Sequence, residues 1–152
     1  MHAPTEVIQR SNYYRHACGL PCFVDPEAHR IVLRAGVPVG AVTMPAHWGE
    51  SVRDRLTHQG LRGPVVWHRS QRWTFLTRAE PPELAGDHVI AARLMRLSAS
   101  IVPAGGEIAL PGPADELAGY RRWVVPPRDP YRPNMTTVVE TLLDCAAKAV
   151  RR

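Results

Sequence analysis

The residue types that do chemistry fall into four loose groupings in this 152-residue chain. His16, Cys18, Cys22 and His29 supply the four donors of a structural zinc site. Their spacing argues against one: HACGLPC puts three residues between the cysteines, where zinc knuckles open on CxxC or Cx4C. The competing reading makes Cys18 and Cys22 small buried hydrophobes and sends Cys145 to the core of a C-terminal helix. Paired carboxylates would hold two divalent metals for phosphoryl or nucleotidyl transfer, but no predicted strand carries a DxD or DxxD pair. Nucleophilic catalysis lacks a GxSxG elbow, and the glycines at 36, 40, 105 and 106 match neither a phosphate loop nor a dinucleotide fingerprint. The sequence therefore predicts no catalytic residue, no cofactor and no metal.

The fourth grouping interleaves arginine with aromatic residues: Trp67, His68, Arg69, Arg72 and Trp73, then Tyr120, Arg121, Arg122 and Trp123, continuing to Arg128, Tyr131 and Arg132. Aromatic faces under bases, beside guanidinium groups on phosphates, suit single-stranded nucleic acid. Alternation along a strand offers the opposite assignment, with Trp73 and Trp123 in the core and the arginines solvated. The candidate nucleic-acid contacts are Trp67, His68, Arg69, Arg72, Arg121, Arg122, Arg128 and Arg132.

The elements that must position these groups are readable from periodicity. Residues 5–17 read as a helix stopped by Gly19 and Pro21, and residues 22–24 and 30–34 as a hairpin around Asp25-Pro26-Glu27. Residues 39–44 read as a buried strand ending at Pro45. Residues 46–59 follow as a helix with Trp48, Val52 and Leu56 inward and Gly60 at its end. Residues 64–68 and 72–77 form a second hairpin around Arg69-Ser70-Gln71. Residues 87–98 fit either helix or strand and lean to helix. Residues 106–110 and 120–125 read as strands joined by the loop PGPADELAG. Residues 134–150 read as the clearest helix, regular from about 136, with Val139, Leu142, Leu143, Ala146 and Val150 on one face and Thr137 with Glu140 at capping-box spacing. This order of elements predicts one α+β domain over 1–152, with a mixed or mostly antiparallel central sheet flanked by helices.

Composition narrows the class further. With 45% apolar and 22% charged residues the chain is ordinary for a globular protein, and its length suffices to bury about two thirds of the unfolded surface. The net charge is +5, and Lys148 is the only lysine. Arginine suits bidentate phosphate recognition, while a GC-rich genome would give the same bias alongside 15 prolines and 11 glycines. No stretch is apolar enough to span a bilayer or to serve as a secretory signal, and three cysteines make an odd set, so a cytoplasmic protein with reduced thiols is expected.

The blocks VGAVTMPAHWGESVRDRL, GPVVWHRSQRWTFL, GGEIALPGP and RRWVVPP, in that order, resemble the amino-terminal domain of actinobacterial bifunctional DNA primase/polymerase-like proteins, of the archaeo-eukaryotic primase class. The likeness runs in patches over positions 39 to 126, roughly 85 residues, and its motifs are moderately specific. It implies a primase-like fold. It also implies that the family's metal-binding aspartates correspond to Gly40 and Thr43 before Pro45, and that His68 matches the histidine of the second motif. The expectation is a degenerate, non-catalytic module that associates with DNA or RNA. Two alternatives stand beside it: a protein-interaction or homodimeric accessory protein, and a divergent enzyme using His47, His58 or His68 as acid or base.

Overall fold

The computed structural model describes residues 3–151, with side chains from Thr5 onward. In chain order the elements are α1 (Ala3–His16), β1 (Cys22–Asp25), β2 (Arg30–Arg34), β3 (Val39–Pro45), α2 (Ala46–His58), β4 (Val65–His68), β5 (Arg72–Arg78), α3 (Pro82–Ala85), α4 (His88–Arg96), β6 (Ser100–Ile101), β7 (Glu107–Leu110), α5 (Pro113–Ala118), β8 (Arg121–Val125) and α6 (Met135–Val150). The fold is α+β, and every strand pairing is antiparallel. Instead of one central sheet there are two: five strands in the order β6-β3-β5-β4-β8, and three in the order β1-β2-β7.

The five-stranded sheet is the middle layer, because its central strands are apolar on both faces. On β3 and β5, Val42, Met44, Trp73 and Phe75 enter one core, which α2 and α6 close with Val52, Leu56, Val138, Val139 and Leu142. The alternate residues Val39, Ala41 and Leu76 enter a second core, closed by Val7 and Tyr14 of α1 and by Ile31, Leu33, Ile108 and Leu110 of the small sheet. This is the period of two of a strand, used on both faces. Between Val65 and Val66 the β4–β8 register shifts. The irregularity sends Val125 to the first core while Trp123 packs against the second.

Several local expectations need correction. The segment read as the loop PGPADELAG contains α5, with Pro113 in its first turn and Gly119 ending it at φ 77°. Helix α6 is capped at Asn134 without a side-chain bond, so the Thr137/Glu140 capping box does not form. The buried stripe of α6 is Met135, Val138, Val139, Thr141, Leu142 and Cys145, and Val150 is exposed. The short elements α3 and β6 were not anticipated, and residues 88–96 are helical, with Asp87 accepting a bond from the Ile90 N–H at 3.0 Å. Among the described residues no helix is long and apolar enough to cross a membrane.

Candidate nucleic-acid interface

Non-local pairing of β8 with β4 assembles most of the arginine–aromatic residues at one end of the large sheet. Trp67 lies opposite Trp73 on one side and Arg122 on the other, and His68 lies between Arg72 and Arg121 in the same way. Directly opposed residues share a face, so two cross-strand rows result, one on each side of the sheet.

The row facing α2 is aromatic. Gly49 brings the helix so close that an added Cβ would stand 2.6 Å from the Trp73 ring. Arg53, one turn further along α2, places its guanidinium 5.3 Å from the centre of that ring. Arg122 lies 4.3 Å above Trp67. These contacts have cation–π geometry, and they occupy the indole faces: Trp73 is 5% exposed. Trp123 is also engaged inside the protein. Its indole N–H donates to the Tyr14 hydroxyl at 2.8 Å, and that hydroxyl donates to the Pro111 carbonyl at 2.6 Å. Trp73 and Trp123 therefore take the core assignment, Trp67 is covered by Arg122, and open stacking surface at this end is reduced to the half-exposed Tyr120.

The opposite row is polar and built as structure. Arg72 donates from Nε to Thr43 Oγ1 at 3.3 Å and from Nη2 to the Ser98 carbonyl at 2.8 Å, joining β3 and the α4–β6 link to β5. Arg121 pairs with the buried Asp115 at 2.9 Å. His68 Nε2 and Thr74 Oγ1 are 2.8 Å apart. Burial first, and then the positive charges of Arg121 and Arg72, push the His68 pKa down to about 4 from 6.5. His68 is thus neutral at physiological pH. As pH falls through about 6.5 the unfolded chain takes up a proton that the folded chain refuses until about 4, so stability is lost across that window. The loss is up to roughly 2–3 kcal/mol. Urea midpoints at pH 7 and 4.5 should differ more for the wild type than for His68→Gln, which keeps a partner for Thr74.

The turn between the two strands is where arginine meets solvent. The Arg69 N–H donates to the Tyr120 carbonyl at 2.8 Å, and its guanidinium lies 5.9 Å from the Tyr120 ring centre. Gln71 turns the chain at φ 66°. Arg69 and Arg122 are exposed and, among the described residues, neither forms an ion pair with a carboxylate. Arg128 and Arg132 do not join this end, because residues 126–134 run on from the far end of β8. Arg128 lines a groove of about 370 Å³ with Arg62, Asp129 and Tyr131. Arg132 is half-buried, donates to the Pro130 carbonyl at 3.1 Å, and is held below the usual guanidinium pKa by burial and by Arg78. A neighbouring groove of about 470 Å³ shares Thr57, Arg62 and Val125 with the first and adds Arg53, Asp54 and His58. Arg53 and Arg62 are the basic residues that sequence reasoning missed. They lie on and just after α2, and only the groove between α2 and β8 in the folded protein brings them beside that strand.

The zinc grouping does not assemble. Cys18 and Cys22 are buried in the second core, with Cys22 Sγ 3.6 Å from Ser11 Oγ, while His16 and His29 are exposed on α1 and on the β1–β2 turn. Burial pushes both thiols' pKa values up, which disfavours the thiolates that zinc requires. Among the described residues no three His, Cys, Asp or Glu are grouped to hold a metal. Gly40 and Thr43 also fail as a ligand pair on geometry alone. Three residues apart on one strand they face opposite ways: a Cβ on Gly40 would meet Met135 of the first core, while Thr43 bonds Arg72 on the other face. The position sharing Thr43's face two residues earlier is Ala41. Of the three histidines considered as acid or base, His47 is exposed beside Trp48, His58 lines the second groove, and His68 lies within the polar row.

No family model, curated protein or solved structure matches this chain.

Proposed function

We propose that this protein is a non-catalytic, nucleic-acid-associated module descended from a primase/polymerase-like fold. It would hold a single strand along the open edge of the large sheet, from the β4–β5 turn along β8. The observation that carries this reading is the placement of Arg69 and Arg122, exposed and free of carboxylate partners among the described residues, beside Tyr120 and Trp67 at one sheet end. Guanidinium groups there can take phosphate oxygens in bidentate fashion while the Tyr120 ring offers a base-stacking face. The grooves beside β8 extend the basic track through Arg62 to Arg128, over about 16 Å of strand, while Arg53 at their edge is paired with Asp54 at 3.1 Å. The ancestry part of the proposal rests on the sequence blocks quoted above, and the non-catalytic part on Gly40 and Thr43, neither a carboxylate, at the positions where the resemblance puts the family's metal-binding aspartates.

Arg69→Ala/Arg122→Ala should weaken binding of a labelled single-stranded oligonucleotide about tenfold at low salt and flatten the salt dependence by about 1.4 in log–log slope. Arg15→Ala/Arg30→Ala removes the same charge from exposed positions on α1 and β2 and should leave the slope nearly unchanged. Fluorescence anisotropy of the two variants beside the wild type reads the difference. Equal losses in both would reduce the effect to net charge and reject the site.

A further inference from the structure

We propose that α4 and the groove beside it dock a second copy of this chain through an antiparallel α4–α4 contact. Leu94 is the one fully buried residue of α4, with Ile90 and the following Leu97 partly buried against the first core beside it. Val89 is 70% and Met95 76% exposed, on the side of the helix away from the sheet. Beside the helix runs an apolar groove of about 410 Å³, floored by Leu84, Ile90, Leu94 and Ile101 and reached by Met95. Ile90, Leu94 and Leu97 give the helix its ordinary apolar stripe on the first core, so Val89, Met95 and the groove are apolar surface beyond what the fold itself covers.

Charge distribution identifies that partner as another copy. The acidic residues Glu80, Glu83 and Asp87 lie at the amino end of the helix and Arg93 and Arg96 toward its carboxyl end. None of the five forms an ion pair among the described residues. A two-fold axis passing near Ala92 sets the acidic end of each helix beside the basic end of the other, a self-complementarity that an isologous interface requires. The same axis sets Val89 of one copy opposite Met95 of the other, with the small side chains of Ala91 and Ala92 at the crossing. Charges of both signs flanking an apolar centre are the composition of a specific interface. The surface lies on elements separate from the β4–β5 turn and β8, so the inference does not depend on nucleic-acid binding.

Sedimentation velocity on nucleic-acid-free protein between about 5 and 200 μM should show a monomer–dimer equilibrium. Met95→Lys, at an exposed position that does not enter the core, should weaken it by about tenfold or more. Arg96→Glu and Glu83→Arg should each weaken self-association, and their equimolar mixture should recover it, since the reversed charges then face each other. A wild type that stays monomeric across the range overturns the proposal, even if an unrelated protein binds this face. A dimer indifferent to all three substitutions overturns it as well, because the contact then lies elsewhere.

Discussion

Asp115→Ala is expected to destabilise the protein by about 3 kcal/mol, the cost of leaving a largely buried guanidinium without its counter-charge. Asp115 is 7% exposed. One carboxylate oxygen takes Arg121 Nη1 at 2.9 Å, and the other accepts the Gly112 N–H at 3.3 Å, where α5 begins. The Asp115 carbonyl also receives the Tyr120 N–H at 2.9 Å, which leads the chain from α5 into β8. One side chain therefore ties the start of a short helix to the edge strand that carries Arg122. Asp115→Asn preserves the shape and an acceptor for Gly112, and should lose less. Coupling Asp115→Leu with Arg121→Met should recover part of the loss, because the stranded charge is then removed. Urea midpoints of wild type, Asp115→Leu, Arg121→Met and the double variant provide the cycle, with Asp115→Ala and Asp115→Asn measured beside them. An alanine variant as stable as the wild type would show that the pair is solvated in solution.

Gly49→Val is expected to cost about 3 kcal/mol or more, since overpacking a filled core forces backbone shifts. The obstructing atoms belong to the Trp73 indole, at 2.6, 2.7 and 2.9 Å from the added Cβ, and that ring has no room to retreat. Helix α2 would have to lift from the sheet, disturbing both the Arg53–Trp73 contact and the packing of Val52 and Leu56. Gly49→Ala separates this contact from helix propensity. Propensity alone would stabilise the helix by about 1 kcal/mol, whereas the contact predicts a net loss and an altered near-UV signal from Trp73. A stabilised alanine variant would reject the close packing of α2 on Trp73.

Elements whose signals are local were legible in the sequence. The helix over α2 follows from Val52 and Leu56 one turn apart and from Gly60, which adopts φ 71° just past the helix end. Both hairpins follow from turn residues between β-branched runs. Helix α5 lies in a segment whose prolines and glycines read from sequence as loop formers. Pro113 in the first turn, Asp115 and Glu116 beside it and Gly119 beyond the end are instead the marks of a short capped helix. The second sheet was beyond reach for a different reason: β7 pairs with β2 across some seventy residues of sequence, and a four-residue strand does not announce its partner.

The candidate site was legible in composition and illegible in direction. Trp67 to Trp73 reads as one hairpin, but the joining of β8 to β4, which brings Arg121 and Arg122 to it, is non-local. Once the strands are paired, parity separates the residues. Arg72 and Arg121 lie on the face that holds Thr43, Thr74 and Asp115 and are used structurally, leaving Arg69 and Arg122 to solvent. Parity likewise separates Gly40 from Thr43. The tryptophans that suggested base stacking are covered by Arg53 and Arg122 or bonded to Tyr14, so a strand binding here would rely on guanidinium–phosphate contacts more than on indole faces.

That balance makes salt dependence the most direct measure of the proposed function. Fluorescence anisotropy of labelled single-stranded and duplex oligonucleotides, titrated with the wild-type protein at about 50 and 200 mM salt, should show binding at the lower concentration that falls by tenfold or more at the higher. The single strand should be preferred, because the exposed Tyr120 ring can stack only on an unpaired base. Flat titrations with both oligonucleotides at about 50 mM salt would contradict the account, since the exposed arginines of the β4–β5 turn and β8 would then have no polyanion to meet.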